Sequence, residues 1–132
     1  IRVGEGGISV PMVTLDGLSA DFLKMDCEGM EMDVLQGCPF LLGTHPILYL
    51  EAARQSTAGP LIAFLRERGY RLWWHVVPLY SPDNFRKNPV NHFRPGVASV
   101  NLLCIPEHLP CPVDITKHGL LPQATTRMAL IP

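Results

Sequence analysis

Between residues 23 and 26, LKMD, apolar and charged positions alternate with a period of two. In an extended segment Phe22, Lys24 and Asp26 share one face, and Leu23, Met25 and Cys27 share the other. The period then changes. Met30, Val34, Leu35 and Cys38 recur at helical spacing, which predicts a helix with Glu28 and Glu31 at its start and Gly37 as its stop. PILYLE (46 to 51) reads as a second short strand, and it too ends in a carboxylate, Glu51. Gly59-Pro60 is expected to open another helix, with proline in its first position. Leu61, Phe64, Leu65 and Arg68 follow that helix's period, and Gly69 ends it. YRLWWHVV (70 to 77) and VASVNLLCI (97 to 105) read as strands of high β-propensity. Upstream, ISVPMVT (8 to 14) reads as extended but irregular because of Pro11, and LDGL (15 to 18) as a turn.

The order strand, helix, strand, helix, strand, loop, strand predicts an α/β domain with a mostly parallel sheet. The last two strands lack an intervening helix, so they are expected to form an antiparallel C-terminal strand pair at one edge. The segment joining them, PLYSPDNFRKNPVNHFRPG (78 to 96), is long for a compact domain and suits a lid or a substrate-facing loop. The domain is expected to span residues 1 to 106, and the proline-containing stretch 107 to 132 to be an irregular tail.

Composition narrows the function classes. With 132 residues, 47% hydrophobic and 17% charged, the chain suits one globular domain. A formal net charge of -1 gives no overall attraction to nucleic acid or anionic lipid. Although NFRKNPVNHFR is basic and aromatic, neither nucleic acid nor membrane is an expected partner. No apolar run approaches the ~20 residues of a membrane span, and a cytoplasmic setting is the expectation. Cys27, Cys38, Cys104 and Cys111 form no C-x-x-C pair and are expected to be reduced, with Cys27 and Cys104 buried. The five histidines show no i, i+4 pair that would suggest a metal site, and His75 reads as an ordinary sheet position.

The chemistry concentrates in the acids. Ligands of open parallel sheets bind beyond the carboxyl ends of the strands. Asp26 and Glu51 both stand at such ends, so neighbouring strands would bring both to one crevice. Lys24 is expected to pair with Asp26. Gly29 would let the backbone approach a ligand closely. Tyr80, Asn84 and Asn101 are candidate substrate contacts.

VPMVTLDGL, DFLKMDCEGMEMDVLQG and HPILYLE together resemble the FkbM family of S-adenosylmethionine-dependent methyltransferases. The matching positions are Thr14, Leu15, Asp16 and Leu18; then Lys24, Asp26, Glu28, Gly29 and Glu31; then Leu35, Gly37, Pro46 and Glu51. Met25 and Cys27 stand where the family favours branched aliphatics. GYRLWWHVVPLYSPDNF and SVNLLCIP resemble its C-terminal part. Family members also carry a glycine-rich cofactor loop and a ribose-binding acid upstream of these motifs. VGEGGISV (3 to 10) does not supply that loop, because it leads into an extended segment and not into a helix.

The resemblance therefore implies the C-terminal part of a Rossmann-like methyltransferase fold, with most of the S-adenosylmethionine site expected upstream. The implied reaction is methyl transfer to a hydroxyl oxygen of a small molecule or sugar. In it Asp26 or Glu28 would be the catalytic base, Glu51 would contact the acceptor, and Lys24, Gly29 and Glu31 would give structural support. Asp26 and Glu51 could instead hold Mg²⁺. Two rivals remain open. A strand ending D-x-E resembles the metal motif of nucleotide-sugar transferases, and a half-domain without its cofactor loop could be a non-catalytic interaction module.

Overall fold

The computed structural model describes residues 8, 11–52, 54–111, 114 and 120–121. The glycine-containing stretch 3 to 7, part of the expected extended segment and most of the tail lie outside them. The elements are β1 (Phe22–Met25), α1 (Glu31–Gln36), α2 (Pro39–Gly43), β2 (Ile47–Glu51), α3 (Gln55–Arg66), β3 (Tyr70–Pro78), β4 (Ala98–Pro106) and β5 (Leu120–Leu121). They form one mixed sheet in the order β1-β2-β4-β3-β5. The chain is α/β, as the alternation predicts.

The expectation of a mostly parallel sheet needs correction. β1 and β2 pair in parallel, whereas β2–β4, β3–β4 and β3–β5 are antiparallel. Nor do β3 and β4 sit together at an edge, because β4 inserts between β2 and β3. The reason is visible in β4 itself. Val100, Asn101, Leu102, Cys104 and Ile105 are all buried, so both of its faces require cover. A strand apolar on both faces belongs in the interior of a sheet. Because β4 runs against both neighbours, β1, β2 and β3 all point the same way.

One face of the sheet makes the core. Met25, Leu48, Leu50, Leu72, Trp74, Leu102 and Cys104 pack there with Leu35, Cys38 and Leu41 of the α1–α2 region and Ala58, Leu61, Ile62 and Leu65 of α3. Each fully buried leucine contributes about 1.5–3 kcal/mol. The opposite face carries Lys24, Tyr49, Glu51, Asn101 and His75.

Two helix boundaries differ from the sequence reading. The first helix ends at Gly37 as expected, but Pro39 at once starts α2. α3 begins at Gln55, which leaves Pro60 inside it. Its first turn is anchored by the Arg54 carbonyl, which accepts the Thr57 and Ala58 N–H groups at 3.1 and 3.0 Å. Burial of Ala58 continues the apolar stripe one turn back, past the proline. Residues 79 to 97 contain no helix or strand, in keeping with the expected long loop. Within the segment expected to be irregular, Leu120–Leu121 pairs with Trp74 and His75 of β3. No helix among the described residues is long and apolar enough to cross a membrane.

Candidate functional site

Parallel pairing of β1 with β2 sets Met25 opposite Leu50, so Asp26 and Glu51 stand one step further on at the same rim. One carboxylate oxygen from each of Asp26, Glu28 and Glu51 lies within 4.8 Å of the others. Asp26 and Glu28 are exposed and Glu51 is half-buried. Burial pushes the Glu51 carboxyl above the usual carboxylate range, and the negative charges of Asp26 and Glu28, a hydrogen bond with Asp26 and the charge of Glu31 push it further. Lys24 Nζ donates to Asp26 Oδ2 at 3.2 Å, but both side chains are more than half exposed. The expected pair forms, and at this exposed position water weakens it.

The turn after β1 is held by Glu31, which is only 4% exposed. Its Oε1 accepts the N–H groups of Cys27 at 2.9 Å and Gly29 at 3.3 Å. Such bonds to a charged acceptor are worth about 1.5–3 kcal/mol each. They fold the backbone so that Glu28 and Gly29 both take positive φ, 56° and 98°. Gly29 suits that backbone conformation, and Arg54 Nη1 lies 3.0 Å from where a Cβ would stand. Glu28, Gly29, Glu31, Glu51, Arg54 and Thr57 line a small cleft of about 70 Å³.

Further across the sheet, Glu51 is registered with Asn101, and Asn101 with His75. Asp26, Glu51, Asn101 and His75 thus stand in one row across β1, β2, β4 and β3. Asn101 is buried and donates from Nδ2 to Ser99 Oγ at 2.9 Å. The Tyr49 hydroxyl lies 2.8 Å from His75 Nδ1. Tyr80 and Asn84 are placed differently. The Tyr80 hydroxyl donates to the Pro89 carbonyl at 3.1 Å, and Asn84 Nδ2 donates to the carbonyls of Ser81 and Asn88 at 3.0 and 2.8 Å. Both side chains brace the long loop, and neither lines the acidic cleft.

Sequence reasoning missed Arg54, Tyr49 and the placing of His75 beside Asn101. The period of two that puts Tyr49 on the face of Glu51 is legible in YLE. The reach of Arg54 over Gly29 has no sequence signal.

Chemically, the trio forms an oxygen-only donor set. It can accept a proton from a hydroxyl, attract an organic cation, or ligate a hard divalent ion.

The carboxylates converge at the carboxyl ends of two parallel strands, the place where open α/β sheets bind their ligands. A model of the methyltransferase FkbM domain matches residues 2–72, and the chain belongs to that family. No curated protein and no solved structure matches it.

Proposed function

We propose that this rim serves S-adenosylmethionine-dependent methyl transfer to a hydroxyl of a small molecule or sugar, within a Rossmann-like domain. The observation that carries the reading is the convergence of Asp26, Glu28 and Glu51 at one rim in a chain of the FkbM methyltransferase family. Their donor chemistry suits the cationic end of S-adenosylmethionine, with its sulfonium and ammonium groups. The nucleoside end is assigned to the upstream glycine loop that the family pattern carries. When bound, the cofactor supplies an electrophilic methyl group.

The protein's own residues do the rest. Asp26, exposed at the strand end, takes the proton of the acceptor hydroxyl, with Glu28 as the second candidate. A positioned base contributes roughly 10²- to 10⁴-fold. Glu51, with its raised proton affinity, hydrogen-bonds the acceptor and helps align its oxygen, and positioning of this kind supplies further rate. Asn101, directly opposite Glu51, extends that contact. Glu31 and Gly29 hold the turn that presents Glu28, and Lys24 flanks Asp26. Tyr80 and Asn84 act through the shape of the loop they brace.

A second reading rests on the same trio: Mg²⁺ held by Asp26, Glu28 and Glu51, as a nucleotide-sugar transferase would need. Calorimetry with S-adenosylmethionine on this chain and on a chain extended upstream separates the two. Binding is expected for the longer chain only, and Asp26→Asn in that chain should lower methyl transfer at saturating cofactor by roughly 10²- to 10⁴-fold, beyond any loss of cofactor affinity. Binding of a nucleotide-sugar that depends on Mg²⁺, with none of S-adenosylmethionine, would favour the rival. Failure of both ligands to bind would favour a non-catalytic module.

A further inference from the structure

The common direction of β1, β2 and β3 has a second consequence. The end of β3, the start of β4 and the loop between them lie at the same rim as the acidic trio. Adjacent strands are about 4.8 Å apart and β3 runs three residues past the level of Glu51, so the end of β3 stands on the order of 14 Å from the end of β2. At that place Val76, Pro78, Asn91, Phe93, Arg94 and Ala98 line a cleft of about 210 Å³.

The loop that forms the outer wall is braced from within. Asn84 Oδ1 accepts the Asn88 N–H at 3.0 Å, Lys87 pairs with Asp83, and Tyr80 bonds the Asn88 and Pro89 carbonyls. Asn91 Oδ1 accepts the Phe93 N–H at 2.8 Å, and the Leu79 N–H reaches the Val97 carbonyl at 3.1 Å, closing the loop's base. The Phe93 ring is half exposed. The Arg94 guanidinium has no hydrogen bond or ion pair with any other described residue. No carboxylate lines this cleft, in contrast to the acidic one.

We propose that this second cleft binds the far end of the methyl acceptor, and that the acceptor is an oligosaccharide with a carboxylate-bearing sugar at that end. The inference rests on the methyltransferase reading for the word acceptor, but the binding chemistry stands by itself. A guanidinium fork matches a carboxylate in a bidentate manner. An aromatic ring offers its face to the C–H side of a pyranose, and the Asn91 amide suits its hydroxyls. The two clefts also have opposite character. A carboxylate is repelled from Asp26, Glu28 and Glu51 and attracted to Arg94, which fixes the orientation of the acceptor along the rim.

The test is calorimetric titration of this chain with glucuronate and with glucose at low ionic strength, without methyl donor. Glucuronate should bind, glucose should bind at least tenfold more weakly, and added salt should weaken the glucuronate complex. Arg94→Ala should weaken glucuronate binding by about tenfold or more, while Arg86→Ala leaves it unchanged. Circular dichroism checks that both variants fold. Absence of glucuronate binding, equal binding of the two sugars, or an Arg94→Ala variant that binds like the parent would each overturn the proposal. Glucuronate binding through Arg94 in a protein whose upstream-extended form ignores S-adenosylmethionine would overturn the transferase reading and leave the carboxylate site standing.

Discussion

Glu51 shows what convergence does to a single residue. Its carboxyl is held above the usual range by burial and by neighbouring negative charge, so the folded chain binds its proton more tightly than the unfolded chain does. The stability linked to that group is fully present below the unfolded value, near ~4.3 for a glutamate. It is lost as pH rises through the raised folded value. Glu51→Gln removes the loss. The variant should be more stable than the parent at pH 8, and the difference should vanish near pH 4. Urea denaturation across that range measures it, and a variant no more stable at pH 8 contradicts the assigned crowding. The sequence already marked Glu51 as an acid at a strand end. It did not reveal the crowding, which needs the β1–β2 register and the positive-φ turn that brings Glu28 round.

Among the elements, α3 separates local signal from tertiary demand most clearly. Gly59-Pro60 is a strong local start signal, yet the helix runs from Gln55. Ala58 must be buried with Leu61, Ile62 and Leu65, and an extra turn achieves this in spite of the proline. Pro60 leaves the Ser56 carbonyl without its helical N–H partner, and its ring is exposed. Pro60→Ala should therefore stabilise the protein by on the order of 1–3 kcal/mol, less ~0.4–1 kcal/mol from a freer unfolded chain. A rise in Tm is the expected readout, and an unchanged or lower Tm would mean that Gln55–Gly59 adds little to the fold. β4 teaches the same lesson. Its apolar run was legible as a strand, but its position between β2 and β3 was not, because pairing partners depend on which faces are left uncovered elsewhere.

At the scale of the whole molecule, the core predicts how the cysteines behave. Cys38 and Cys104 are buried, Cys27 and Cys111 are half-buried, and the four are not joined in disulfides. The expectation that Cys27 and Cys104 would be the buried pair holds for Cys104 alone. Burial, with the charge of Asp16, raises the Cys38 thiol, and burial raises that of Cys104, so both resist forming the reactive thiolate. A thiol reagent should modify Cys27 and Cys111 quickly in the native chain and all four in denaturant. Rapid native labelling of Cys104 would show that the β2–β4–β3 centre is not packed as described.

The amino-acid sequence by itself determined β1 to β4, α1 and α3, their α/β order, the acids that close β1 and β2, and the family, because periodicity and motif spacing are local and survive without coordinates. Tertiary structure decided where β4 inserts, how far α3 extends, and that Asp26, Glu28 and Glu51 meet while Arg94 stands apart in its own cleft. Those features depend on register and strand direction, which are set by burial summed over the whole sheet and not by any one segment.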